Sequence, residues 1–291
     1  MVQNTIAFIF DCDGTLCPDT TNLLLDKVKI SKGKFWNTVS HMVSEGWDPP
    51  LAYTSLLCSL NEKEHRHITQ DTFHEVGSKI SFFPGVTKVF SGLRRFADSI
   101  PQFREAGIKI EYHIITGGIE PIVRASVIKS EVNSIFGCRF VHDKVNHEIS
   151  APMSVVSFTE KTRYVFAINK GISESEMRRS PYTVNDAILD DDRAVPFENM
   201  IYIGDGPSDV PCFSLIAKFN GKAIGVYGGR SRSSAYKGYE LARGKRIGLG
   251  PYHADYQPKT DLSQAMENCI TEIGFDIVTN AQGKKKKAPS F

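Results

Sequence analysis

The chain has 291 residues, 41% hydrophobic and 23% charged, with a formal net charge of +2. It is long enough to bury a full core, and its near-neutral charge speaks against a nucleic-acid binder and against a membrane-surface protein. No apolar run approaches the roughly 18 residues of a membrane helix, and Met1 to Asn4 leads into a strand, not a signal peptide. The six scattered cysteines contain no Cys-x-x-Cys pair; they read as reduced thiols of a cytoplasmic protein, with no zinc site.

The first element is a buried strand, Ile6 to Phe10, that stops at Asp11-Cys12-Asp13-Gly14-Thr15. Two carboxylates one residue apart are costly unless a cation joins them or one stays protonated, so a chemical role explains the pair better than a structural one. Cys12 is expected on the opposite face, as a small apolar spacer. From Cys17 to Phe83 the apolar spacing is helical, with Pro49-Pro50 and Pro84-Gly85 as punctuation, which reads as a helical insert. Trp36 and Trp47 in this stretch read as core, and Lys27, Lys29, Lys32 and Lys34 as a solvated loop, with contact to a substrate the alternative for both groups.

A helix is expected over 86–105, broken near Pro101, then a strand over 108–115 ending in Thr116-Gly117-Gly118. A helix from Pro121 to about 128 follows. Strand, Thr-Gly-Gly, helix offers a hydroxyl and free amides beside a positive helix terminus, which suits a phosphate; a plain Gly-rich turn with a capping Thr is the alternative. A strand is expected over 138–141, and a helix over 157–170 with a capping box from Ser157 to Glu160 and Gly171 as its stop. Asp190-Asp191-Asp192 reads as solvated. A strand over 199–203 ends in Gly204-Asp205-Gly206-Pro207-Ser208-Asp209, and a helix over 210–218 and a strand over 223–227 come next. The region 228–250 reads as a mobile basic loop, the last helix as 262–273, and 280–291 as a disordered basic tail.

Alternating strands and helices imply a doubly wound, mostly parallel sheet, so strand C-terminal ends and helix N-termini share one edge. That geometry separates two candidate lysines. Lys161, in a first turn, carries a charge the helix dipole disfavours, whereas Lys170, in the last turn, is favoured there for structural reasons. The two lie about 14 Å apart along the helix. Lys161 is the choice, and Lys170 the alternative.

In order, Asp11-x-Asp13-Gly-Thr, Thr116, Lys161 and Gly204-Asp205-x-x-x-Asp209 resemble the motifs of the haloacid-dehalogenase-like (HAD) superfamily, mostly Mg2+-dependent phosphohydrolases. The small helical insert and the Gly-Asp-Gly motif look most like the phosphoserine-phosphatase-like branch. The resemblance spans residues 6 to 227. It implies a Rossmann-like α/β core (1–16 and 84–279) with a helical cap (17–83). It further implies that Asp11 is the nucleophile forming an aspartyl-phosphate, and Asp13 the general acid and base. Mg2+ would then be held by Asp11, the Asp13 carbonyl and Asp205, with Asp209 as an outer ligand or orienter. Thr116, Gly117, Gly118 and Lys161 would hold the phosphoryl oxygens. The expected partner is a small phosphorylated metabolite, with no nucleic acid and no membrane. A phosphotransferase with the same intermediate and a non-catalytic binding or regulatory protein of this fold are the alternatives.

Overall fold

A computed structural model describes residues 3–229 and 232–287. The chain runs β1 (Thr5–Phe10), α1 (Thr20–Lys27), α2 (Lys32–Ser44), α3 (Pro49–Glu64), α4 (Gln70–Gly77), α5 (Val86–Ser99) and α6 (Pro101–Glu105). It continues through β2 (Lys109–Ile119), α7 (Glu120–Arg124), β3 (Ser134–His142), β4 (Ile149–Ser154), α8 (Glu160–Lys170) and α9 (Glu174–Arg179). Then come β5 (Met200–Gly204), α10 (Val210–Lys218), β6 (Lys222–Tyr227), α11 (Arg232–Arg243), β7 (Leu249–His253) and α12 (Asp261–Lys287).

The strands form one sheet in the order β4-β3-β2-β1-β5-β6-β7, parallel except where β3 meets β4. β1 is central, with Phe10 opposite Ile114 of β2 and Ile203 of β5. The chain leaves β1 toward one edge and later returns to build the other, so the switch of direction lies at the C-terminal end of β1. Side chains alternate across the sheet. Ile6, Phe8, Phe10 and Cys12 enter the core beneath α5, α6 and α12, while Ala7 and Ile9 join the opposite core with residues of α8 and α10. Ile6, Phe8 and Phe10 are fully buried, each stabilising the fold by roughly 2 kcal/mol.

Helices α1–α4 occupy the stretch between β1 and α5. Asp48 caps α3 by accepting from Leu51 N–H at 3.2 Å, and Pro49 and Pro50 fill its first turn. The apolar faces of these helices are continuous with the core of the sheet: Phe73 of α4 stacks on Phe140 of β3 at 5.7 Å, and Leu24, Leu57 and Ile68 join the same cluster.

Several local expectations are corrected. The second strand runs through Thr116-Gly117-Gly118 to Ile119, and α7 stops at Arg124, short of 128. The unassigned stretch before 156 holds β4, an antiparallel partner for a β3 longer than 138–141. Ser157 caps nothing with its side chain; α8 starts at Glu160 with Thr159 in a helical conformation, and it is the Ser157 carbonyl that accepts from Lys161 N–H at 3.2 Å. The basic stretch 228–250 is no open loop. It holds α11, anchored by buried Leu241, and the start of β7, which pairs in parallel with β6. The last helix continues to Lys287 where a disordered tail was expected, since lysines propagate a helix well and suit its C-terminal end. Residues 288–291 of that tail lie outside the described residues.

Candidate active site

β1 delivers Asp11 to the end of the central strand, where its amide donates to Ile203 O at 2.9 Å and continues the β1–β5 ladder. The residue is 5% exposed. Asp11 Oδ1 accepts from Cys12 N–H at 2.8 Å, and Oδ2 lies 3.1 Å from Lys161 Nζ. Lys161, fully enclosed in the first turn of α8, also donates to Asp209 Oδ1 at 2.7 Å. Tyr202 OH of β5 donates to the same oxygen at 2.8 Å, and Gly206 N–H to Asp209 Oδ2 at 3.2 Å. Both oxygens of Asp209 are therefore occupied. It anchors Lys161.

The chain turns sharply after Asp13. Gly14 has φ +80°, and a Cβ there would lie 2.2 Å from Asp205 Oδ2, so only glycine permits this approach of two motifs. Asp13 Oδ1 accepts from Thr20 N–H, the first residue of α1, at 2.7 Å. On the other side, a Cβ on Gly118 would lie 2.3 Å from Asp13 Oδ2, which places the Thr116 loop against the same carboxylate. Gly118 N–H donates to Thr116 Oγ1 at 2.9 Å. That amide is spent within its own loop and is not the free phosphate donor expected of it. The Gly117 carbonyl accepts from Tyr53 OH of α3 at 2.8 Å and from Cys138 Sγ of β3 at 3.2 Å, so the insert and the sheet both hold this loop.

The two lysines are at opposite ends of α8. Lys170 Nζ donates to Val184 O at 2.7 Å and to Asp186 O at 2.5 Å, away from the carboxylates. Asp190-Asp191-Asp192 forms an exposed turn. Tyr202, Tyr53 and Thr20 escaped the sequence reading. Tyr202 sits in an apolar strand and reads as core; the contact of Tyr53 arises only when the insert packs on the sheet, and that of Thr20 is a backbone amide, which side-chain patterns do not reveal.

Electrostatically the site is short of positive charge. Among the described residues, Asp11, Asp13, Asp205 and Asp209 gather around a single ammonium, that of Lys161. Burial is the main cause that raises Asp11 to about 6, with Lys161 pulling down and Asp209 pushing up. Burial and then Asp19 raise Asp13 to about 7; burial and then Asp11 raise Asp205 to about 8. Burial opposes the charge on Lys161, but Asp11 and Asp209 more than offset it and hold the ammonium protonated. The Asp205 carboxylate accepts no hydrogen bond from any described residue. Oxygens of Asp11, Asp205 and Asp209 all lie within 4.8 Å of one another. An orphaned carboxylate beside a second one, in an all-oxygen donor set, fits a hard divalent cation such as Mg2+.

No family model matches the chain. It is 27% identical over 263 residues, 82% of its length, to a protein of Borreliella burgdorferi described as uncharacterized, covering 88% of that protein. Among solved structures, it is similar to a HAD family hydrolase of Salmonella enterica serovar Typhi at 13% identity and a TM-score of 0.53, covering 86% of this chain and 68% of that one. With its central β1, flanking helices and the switch of direction at Asp11, the chain has the HAD-like fold.

Proposed function

We propose that the chain hydrolyses a small phosphomonoester, with Mg2+ as cofactor, through an aspartyl-phosphate on Asp11. The observation that carries this reading is the buried Asp11 carboxylate at the end of the central strand, 3.1 Å from Lys161 and beside Asp205. The Cys12 amide and Lys161 restrict its orientation, so the nucleophile is aimed before substrate arrives. An oxygen of Asp11 attacks phosphorus in line; the bond from phosphorus to the alcohol oxygen breaks and the phosphoryl group stays on Asp11. Asp13, raised to about 7, is protonated often enough near neutral pH to give the alcohol its proton. It then takes a proton from water, which displaces Asp11 and releases phosphate. Lys161, the Thr116 hydroxyl and the Gly117 amide hold the phosphoryl oxygens as charge develops.

When bound, Mg2+ supplies positive charge that offsets the carboxylates and polarises the phosphoryl oxygen. Asp11, Asp205 and the Asp13 carbonyl would hold it, while Asp209, saturated by Lys161, Tyr202 and Gly206, keeps Lys161 in place. The test is hydrolysis of an aryl phosphate with and without Mg2+, for the wild type and Asp11→Asn. Turnover that requires Mg2+ and falls to background in the variant is expected. Turnover that survives Asp11→Asn would sink the assignment.

A further inference from the structure

At the opposite edge of the sheet, where β1, β2 and β3 begin, lies a groove of about 1030 Å³ bounded by the last turn of α8 and by α9. His113 at its wall is 6% exposed; Nδ1 shares a 2.7 Å hydrogen bond with Ser134 Oγ, and Nε2 has no hydrogen-bond partner, standing 3.4 Å from Glu111 Oε2. The cations Lys109, Arg124, Lys129, Arg178 and Arg179 line the groove, against the carboxylates Glu111 and Glu174.

The ion pairs decide which of these charges are spent. Glu174 takes Arg124 at 2.7 Å and Arg178 at 3.5 Å, and both guanidiniums also hold buried Glu120. Glu111 faces His113. Lys109, Lys129 and Arg179 make no ion pair within 4 Å among the described residues, although Lys109 helps to lower the Glu111 carboxyl and Arg179 that of Glu176 from further off. A helix dipole accounts for Arg179, in the last turn of α9, but Lys109 opens a strand and Lys129 lies in a short turn after α7. Three cations that line one groove without a close ion pair, over a polar buried wall, make its potential positive, and an anion seated there is favoured.

We propose that this groove is a second ligand site, taking a small polyanion whose charge comes from phosphate or carboxylate groups. It is independent of the phosphatase reading, since its residues lie at the far edge of the sheet.

The test uses the metal-free full chain, in which the surplus of carboxylates at the other edge disfavours anions. Inorganic tripolyphosphate and citrate are titrated separately by calorimetry into the wild type and into a Lys129→Ala/Arg179→Ala variant. At least one should bind the wild type, more weakly as salt rises, and bind the variant about tenfold or more weakly, as the loss of two nearby charges implies. The stronger probe identifies the phosphate or carboxylate source. Neither substituted side chain makes a hydrogen bond or an ion pair within 4 Å among the described residues, and the weak pull of Arg179 on Glu176 is a surface effect, so the variant should melt within a few degrees of the wild type. Absence of binding by either probe, or equal affinity in wild type and variant, would overturn the proposal.

Discussion

At the scale of single residues, the decisive feature is a set of carboxylates forced together with too little positive charge. Burial is the first cause of elevation for Asp11, Asp13 and Asp205, to about 6, 7 and 8. A carboxyl raised in the folded state favours folding while it stays protonated. Its contribution is fully present below the ordinary value of 3.8 and is lost as pH rises through 6 to 8. The metal-free chain should therefore be less stable near pH 8 than near pH 5.5. Mg2+ should reverse this, because it competes with protons for the same oxygens and binds more tightly as pH rises. Thermal melts at both pH values, in chelator and in excess Mg2+, check the sign. A metal-free melting temperature that does not fall with pH contradicts it.

At the scale of elements, the site depends on how the insert sits on the sheet. Asn61 of α3 is a buried clamp: its Oδ1 accepts from Ile68 N–H at 2.8 Å, and its Nδ2 donates to Ile149 O of β4 at 3.1 Å and to Glu148 at 3.0 Å. Truncation leaves a buried amide and a buried carbonyl without partners, so Asn61→Ala should cost about 2–4 kcal/mol. Since α3 also carries Tyr53 to the Gly117 carbonyl, KM for a phosphate ester should rise as well. Urea unfolding and steady-state kinetics on one preparation read both effects; an Asn61→Ala chain with wild-type stability would show that the clamp contributes nothing. The helices of this insert were legible in the sequence because apolar residues recur at helical spacing. Its contact with β3 and β4 was not, because β4 carries exposed Met153 and half-buried Pro152 and lacks the alternation of a half-buried strand.

At the scale of the whole molecule, one buried charge network joins parts of the chain far apart in sequence. Lys161 links Asp11, just past the end of β1, to Asp209, and Tyr202 of β5 completes it. Removing the ammonium strands two carboxylates in a buried pocket, so Lys161→Met should lower the unfolding free energy by roughly 3–5 kcal/mol as well as abolish turnover. Asp209→Leu alone should also destabilise. The double substitution should cost less than the two singles combined, because the charges it removes compensate each other. Urea unfolding of the four proteins measures the coupling; strict additivity would mean that the network acts only locally.

The sequence alone determined the doubly wound sheet, and it put Asp11 and Asp205 just past strand ends and Lys161 in a first helical turn, because hydrophobic periodicity and Gly-Asp interruptions are local properties; it ended β2 too early at Thr116-Gly117-Gly118, which the strand runs through. It also separated Lys161 from Lys170, since the helix dipole is local. The tertiary structure decided what those residues touch. Asp209 is saturated by donors from α8, β5 and its own loop; the Gly118 amide is spent on Thr116; Asp13 is held by α1; cations without a close ion pair collect at the far edge of the sheet. Lys161 reaches Asp209 across 48 residues; the shorter-range contacts, such as Gly118 to Thr116 and Thr20 to Asp13, depend on the exact turn the backbone takes. Hydrogen-bond geometry at about 3 Å is set by that packing and turn conformation, which hydrophobic periodicity does not encode.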